Sequence, residues 1–259
     1  MKNVLKDAAR EWLIALIKQA GDVAMHYYMG QFEVYQKPDG SIVTTADLEV
    51  NRVVTEGIRT HVPDEPVLSE ETPDDLTRLK ANTVWLVDPI DGTSLFARNS
   101  AEFGILIGRC HQGVSIESSA FFPALGLTVY SRRGDGCFVN GQRVRVSGRV
   151  FEDARISAYG KEFESFKTWS RAYYLPALEI VQLCLGEIDG CVLDASRAGE
   201  HDYAWAPCAV EEAGGRITDA FGNELRFNKP ERTVPPVVVA GNPAVHQELL
   251  RRVQNVLGR

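Results

Sequence analysis

The chain is short of basic charge, of paired cysteines and of long apolar runs, and each shortage excludes a class of function. Lys and Arg number 28 against 35 Asp and Glu, a formal net charge of −7 with a pI near 5.3. An acidic balance of that size leaves no basic face to neutralise a nucleic-acid backbone. The five cysteines, Cys110, Cys137, Cys184, Cys191 and Cys208, form no Cys-x-x-Cys pair. Their odd number in mostly apolar segments points to reduced structural thiols in a cytoplasmic protein, with no zinc site. Near the amino terminus the apolar stretch Trp12 to Ile17 is broken by Lys18 and Gln19, and no small-residue cleavage pattern follows. No segment reaches the roughly 20 apolar residues that span a bilayer, so neither secretion nor a membrane anchor is expected. There is no Gly-x-x-x-x-Gly-Lys-Ser/Thr loop, and Gly134 and Gly136 are followed by Val139 rather than a third glycine. Ser115 lacks the Gly-x-Ser-x-Gly context of a hydrolase nucleophile.

What is present is acid in unusual places. Residues 85 to 93 read Trp-Leu-Val-Asp-Pro-Ile-Asp-Gly-Thr. Trp85, Leu86 and Val87 have the continuous apolar character of a buried strand; Pro89 cannot donate to a ladder and Gly92 suits a turn, so the strand is expected to end at Asp88. Asp88 and Asp91 are then two carboxylates held close together by rigid structure. Such a pair repels unless a proton or cation lies between, and an oxygen-only donor set selects a hard ion such as Mg²⁺. An ordinary Asp-rich turn explains the pair alone equally well.

Three further clusters repeat the theme. In Lys37-Pro-Asp-Gly-Ser-Ile-Val-Thr-Thr-Ala-Asp47 a turn and short strand lead into a helix whose apolar residues Leu48, Val53, Val54 and Ile58 recur at helical spacing. Asp47 falls in its first turn, where a bare helix cap is the simpler explanation. Pro66-Val-Leu-Ser-Glu-Glu71 is a short strand ending in adjacent acids that must point different ways; Glu70 is expected to face the site and Glu71 to orient or balance it. Asp202 opens a run closed by Gly214 and Gly215, and Pro207 lies too deep for the favoured first helical position, so that helix begins late or kinks. His26, His61, His111 and His246 read as surface or helix-face residues, whereas His201 stands apart because it precedes Asp202. A covalent aspartyl mechanism of the haloacid-dehalogenase kind needs acids separated by one residue, and Asp88 and Asp91 are separated by two.

Taken together, Val-Thr-Thr-Ala-Asp47, Ser-Glu70-Glu71, Asp88-Pro-Ile-Asp91-Gly-Thr93 and Asp202 before Glu-Ala-Gly-Gly resemble the inositol monophosphatase superfamily of Mg²⁺-dependent phosphatases. The likeness covers nearly the whole chain. The segment 134–147 resembles the family's hairpin, and Val237 to Asn242 its closing strand. Within the superfamily, Val67-Leu-Ser-Glu-Glu and Phe96-Ala-Arg-Asn-Ser-Ala-Glu-Phe103 look most like the 3′(2′),5′-bisphosphate nucleotidases, with inositol and histidinol phosphate phosphatases close behind. The resemblance implies hydrolysis of a small phosphate monoester by metal-activated water, with two or three Mg²⁺ ions per site. It implies that Glu70, Asp88 and the carbonyl of Ile90 hold one ion, and that Asp88, Asp91 and Asp202 hold another. Asp47 would orient water or help a third ion, and Thr93 would relay a proton. Gly92 and Thr93 would offer backbone N–H groups to phosphate, with Ser94 a weaker candidate.

Departures from the family fall where substrate is recognised. His201 replaces a usual Trp, and Tyr174-Leu-Pro-Ala177 replaces a usual Gly-Ser/Thr-x-Ala segment. Losing a glycine and a hydroxyl removes close backbone approach and a hydrogen bond, which disfavours standard inositol recognition. Asp194 or Arg197 is then a candidate substrate contact, with a surface pairing to a neighbouring acid equally open to Arg197. Core packing is the simpler role for Tyr159, Tyr173 and Tyr174, and any of them that lines the cleft could stack on a base. The expected substrate is a 3′-phosphorylated nucleotide such as 3′-phosphoadenosine 5′-phosphate. Inositol or histidinol phosphate is the alternative, and a noncatalytic binding protein on the same fold is the other function class. A homodimer is compatible with this resemblance.

At 259 residues the chain can bury one large core or two smaller ones. Helical periodicity runs from residue 4 to about 29 through Val4, Leu5, Ala8, Trp12, Leu16, Ala20, Val23 and Tyr27. Strands are expected at 32–35, 67–69, 83–87, 104–109, 127–131 and 143–146. Strand and helix then alternate: strands near 154–158, 188–193, 216 and 237–240, helices at 176–185, after 202, and 243–256. The pattern predicts an α+β half, 1–148, carrying most metal ligands, packed on an α/β half, 149–259, carrying Asp202 and the substrate side. The family resemblance implies a layered αβαβα fold with the site between the halves.

Overall fold

The computed structural model describes residues 2–169 and 173–258, with side chains from residue 10 onward, so the expected apolar roles of Val4, Leu5 and Ala8 lie outside the described side chains. Helix α1 (Lys2–Tyr27) leads to the strand pair β1 (Val34–Gln36) and β2 (Ile42–Thr44), then α2 (Thr45–His61), β3 (Val67–Ser69), β4 (Thr83–Asp91) and the single turn α3 (Thr93–Phe96). Strands β5 (Gly104–His111), β6 (Val114–Phe122), β7 (Leu127–Arg132), β8 (Gly136–Val139) and β9 (Gln142–Val144) complete a seven-stranded sheet in the order β3-β4-β5-β6-β7-β8-β9. Its strands are antiparallel except β3 beside β4.

The remaining chain adds β10 (Ile156–Ala158), α4 (Pro176–Cys184), β11 (Gly190–Asp194), α5 (Glu200–Tyr203), α6 (Ala206–Glu212), β12 (Arg216–Asp219), β13 (Val237–Gly241) and α7 (Pro243–Val256). A second sheet runs β10-β11-β13-β12. Alternation along the strands sorts the apolar residues into three clusters. Trp85, Val87, Ile105 and Ile107 pack with Leu13 and Ile17 of α1 and Val50 and Val54 of α2. Leu86 and Leu106, on the opposite face, pack with Leu178 and Val181 of α4, Ala209 of α6, and Cys191 and Ala240 of the small sheet. Val192 and Val239, on that sheet's far face, meet Val245, Leu249 and Val253 of α7. The layer order is therefore α, β, α, β, α, as expected from the resemblance.

Three strand expectations need correction. Strand β4 does not stop at Asp88: it passes through Pro89 to Asp91, with Asp88 opposite Leu106 and Asp91 opposite Gly104. Three steps on β4 face two on β5, so one extra residue is accommodated in a bulge, which also tolerates the missing N–H of Pro89. Strand β6 escaped the sequence reading because its serines mask the apolar alternation. Ser115, Ser118 and Ser119 are buried and hydrogen-bonded, to Ala204 O (2.6 Å), Ser131 Oγ (2.7 Å) and Val129 O (2.9 Å) respectively. Strand β1 runs 34–36 rather than 32–35. The helix expected after Asp202 divides into α5, which already contains Asp202, and α6, with Pro207 in its first turn.

Helix α5 is short and is held from outside. Ser115 Oγ donates to Ala204 O, and buried Glu200 accepts from the N–H groups of Asn228 (3.0 Å) and Lys229 (3.2 Å). Gly108 of β5 lets the sheet approach: a Cβ there would lie 2.5 Å from the carbonyl carbon of Ala204 and 2.6 Å from its oxygen. Backbone cannot yield as a flexible side chain does. Gly108→Ala should therefore destabilise the fold by about 1–3 kcal/mol, a Tm fall of several degrees, while displacing α5. A Tm within about 1 °C of wild type in thermal denaturation would show that this contact is not tight.

Candidate active site

The bulge in β4 decides where its acids point. In a regular strand residues three apart face opposite sides of the sheet; one inserted residue reverses that parity. Asp88 and Asp91 consequently share the face that meets α5, and each brings a carboxylate oxygen to a cluster with Asp202 in which all lie within 4.8 Å of one another. Glu70, just past β3, forms a second such group with Asp88 and His201. Asp88 belongs to both. It is 2% exposed, and its Oδ1 is buried with no hydrogen-bond partner. A buried carboxylate oxygen without a donor is costly unless a cation completes it, and the oxygen-rich donor set suits a hard divalent ion. The residues present therefore fit a metal site.

Electrostatics agree. Burial foremost, then the negative charges of Glu70, Asp91 and Asp202, hold the Asp88 carboxyl well above the usual carboxylate range. Asp91 is raised in the same way, by burial and then by Asp202 and Glu70. Asp202 is held in place by the Gly199 N–H donating to its Oδ2 (2.6 Å). Lys37 donates to both Glu70 Oε1 (2.7 Å) and Glu71 Oε1 (2.6 Å). Thus Glu71 balances the pair through a shared lysine, a partner the sequence reading passed over because Lys37 lies far from the acids in the chain.

Asp47 and Thr93 form a separate unit beside these acids. Asp47 is the third residue of α2, and its Oδ2 accepts from Thr44 N (2.8 Å) and Thr44 Oγ1 (2.5 Å) in a capping box. Thr93 Oγ1 lies 3.1 Å from Asp47 Oδ1 and 3.0 Å from Ile90 O. Asp47 thus completes the capping box with Thr44 and accepts a hydrogen bond from Thr93. Burial raises its carboxyl, opposed by the Thr44 and Thr93 hydrogen bonds. Gly92 takes a φ of +84°, and a Cβ there would meet Leu175 Cδ1 at 2.9 Å, so glycine is required at the turn into α3. Ser94 lies exposed on α3.

Next to Asp91 and Asp202 opens a cavity of about 310 Å³ whose lining includes Pro176, Ala177, Asp194, Arg197, Tyr203 and Trp205. Asp194 and Arg197 both line this cavity and are exposed. Tyr159, Tyr173 and Tyr174 are absent from that lining, whose aromatic residues are the buried Tyr203 and Trp205. Tyr159 instead hydrogen-bonds Glu179 Oε1 (3.1 Å), and the departing segment is pinned by Glu102, whose Oε2 accepts from Tyr174 N (2.5 Å) and Leu175 N (3.2 Å). The five cysteines are free and buried. His246 is buried too, 2.9 Å from Thr218 Oγ1 and remote from the acids in sequence and fold. Among the described residues no helix is long and apolar enough to cross a membrane.

Comparison with known proteins places this arrangement. The model of the inositol monophosphatase family matches residues 6–257. A fructose-1,6-bisphosphatase/inositol-1-monophosphatase of Thermotoga maritima is 28% identical over 260 residues, 95% of this chain and 96% of that protein. The 3′(2′),5′-bisphosphate nucleotidase CysQ of Escherichia coli (strain K12) is 34% identical over 170 residues, 60% of this chain and 69% of its own length. Among solved structures, an IMPase of Thermotoga maritima superposes with a TM-score of 0.81 at 27% identity, covering 100% of this chain and 99% of that one. The chain belongs to the inositol monophosphatase family and is a metal-dependent phosphatase.

The raised carboxyls fix a pH dependence. Free carboxyls in the unfolded chain lose their protons near pH 4, whereas folded Asp88 and Asp91 keep theirs to higher pH. Between those limits the native state binds more protons, so without metal its stability falls as pH rises. Thermal denaturation in Mg²⁺-free buffer should show this decline from about pH 4 upward. Asp91→Asn should make it shallower and raise the metal-free Tm, while reducing the Tm increase that Mg²⁺ produces. A variant less stable than wild type without Mg²⁺, yet retaining the full Mg²⁺ response, would remove Asp91 from the site.

Proposed function

We propose that this member of the inositol monophosphatase family hydrolyses a phosphate monoester by direct attack of water, with a 3′-phosphorylated nucleotide as its substrate. The observation that carries the reaction class is the buried, unpartnered Asp88 Oδ1 at the junction of two acid groups. Glu70, Asp88 and the carbonyl of Ile90 would hold one Mg²⁺, and Asp88, Asp91 and Asp202 a second. Bound there, the ions supply charge neutralisation for the phosphate oxygens and a lowered pKa for water. Residues 1–148 thus provide most ligands and 149–259 provide Asp202 and the substrate side.

The remaining chemistry belongs to Asp47 and Thr93. Thr93 Oγ1 has one proton and directs it to Asp47 Oδ1 or to the carbonyl of Ile90. When it donates to Asp47, its lone pairs face outward as acceptors for a water O–H. Water then transfers its proton to Thr93 as Thr93 passes its own to Asp47. The new P–O bond forms while the ester P–O bond breaks with its electron pair on the leaving oxygen. That oxygen takes a proton from a solvent water, and Asp47 returns its proton to solvent. Gly92 and Thr93, opening α3, offer N–H groups to the phosphate.

Support for a nucleotide comes from the CysQ-named relatives and from the cavity beside Asp91. Its lining includes the exposed Arg197, a cation for a second phosphate, beside the apolar residues Pro176, Ala177, Ile180 and Leu193. The Thermotoga relative, named for fructose bisphosphate and inositol phosphate, supports a second reading in which a sugar or inositol phosphate binds there.

Two measurements test these assignments. Thr93→Val should lower kcat by about 10²-fold or more with little change in the Mg²⁺ concentration for half-maximal activity; a pure loss of metal affinity would contradict the relay. In steady-state phosphate release at saturating Mg²⁺, 3′-phosphoadenosine 5′-phosphate should give a larger kcat/KM than inositol 1-phosphate. The opposite order would discard the nucleotide while leaving the phosphatase intact.

A further inference from the structure

His201 is the one imidazole among the described residues that joins the acid cluster. Its Nε2 lies 3.7 Å from Glu70 Oε2 and 3.6 Å from Asp202 Oδ2. Both separations exceed a hydrogen bond. They are near the spacing of donors around one ion, since neighbouring ligands about 2.1 Å from an octahedral centre stand about 3 Å apart. The side chain is 12% exposed, and its Nδ1 is buried without a hydrogen-bond partner.

The backbone makes room for this ring. A Cβ on Gly199 would lie 2.3 Å from His201 Cε1 and 2.7 Å from Nδ1, although the φ of −93° would admit any residue. Gly199 thus leaves room for the imidazole at the start of α5, which Ser115, Gly108 and Glu200 hold against the large sheet. Opposite the ring stand Glu70 and Asp88 with its orphaned oxygen.

We propose that His201 is a nitrogen ligand to the ion held by Glu70 and Asp88, and that the mixed nitrogen and oxygen set favours Mn²⁺ over Mg²⁺ at this position. The inference rests on the metal assignment proposed above. Mg²⁺ prefers oxygen donors in near-ideal octahedral order, whereas imidazole strengthens binding of first-row transition metals. The change from oxygen-only coordination follows from one residue, His201, and from the glycine that seats it.

Pulsed electron paramagnetic resonance of the full chain loaded with Mn²⁺ tests the bond directly. Wild type should show coupling to a directly bound imidazole nitrogen, and His201→Gln should lose it. Calorimetric titration should show Mn²⁺ affinity falling by about tenfold or more in His201→Gln, with Mg²⁺ affinity changed far less. Gly199→Ala, which keeps the imidazole but displaces it, should also lose the nitrogen coupling; circular dichroism establishes that both variants are folded. Mn²⁺ bound to wild type without nitrogen coupling overturns the His201 assignment alone. Failure of wild type to bind Mn²⁺ or Mg²⁺ at all overturns the metal site on which it rests.

Discussion

Mutual repulsion among Glu70, Asp88, Asp91 and Asp202 is the constraint around which the rest of the molecule is arranged. Like charges so close separate unless rigid structure or a counter-charge restrains them. Here three elements fix the four: β4 holds two on one face through its bulge, the end of β3 holds Glu70, and α5 carries Asp202 across from the second sheet. The anchors of α5 make sense in that light. A four-residue helix has little stability of its own, so Gly108, Ser115 and Glu200 supply from the surrounding fold what its length does not.

The buried acids differ in how fully they are satisfied, and that difference separates their roles. Asp47 has donors on both oxygens, from Thr44 and Thr93, so its geometry is complete within the protein. Asp88 keeps an oxygen with no donor. Lys37 sits between these extremes as an internal counter-ion, shared by Glu70 and Glu71. A carboxylate completed by the chain suits the handling of a proton; one left incomplete suits a cation from outside.

Much of the site could be read from local sequence because its acids lie at element boundaries, where composition changes abruptly. The positions of Asp47 in the first turn of α2 and of the acids around Asp-Pro-Ile-Asp were visible from period and turn residues. The common facing of Asp88 and Asp91 was not, because a bulge is a relation between β4 and β5 and leaves no mark in β4 alone beyond Pro89. Strand β6 was hidden because its inward serines are satisfied by distant partners. The cavity lining was illegible for a related reason: Tyr203 and Trp205 reach it from α5 and the turn that follows it, and nothing local in the sequence ties them to the departing segment near Tyr174. Lys37 shows the same limit, since nothing local ties it to Glu71.

The middle helical layer has a consequence for how the molecule comes apart. Helices α4 and α6 cover the inner faces of both sheets, and one continuous apolar cluster joins Leu86 and Leu106 of the first to Cys191 and Ala240 of the second. Cutting the chain near residue 148 would leave the large sheet with a bare apolar face and strip Asp202 from its partners. The two halves are therefore parts of one cooperative folding unit, and heating should melt both in a single transition. The acids thus sit along the seam where the two sheets are joined, beside the apolar cluster they share.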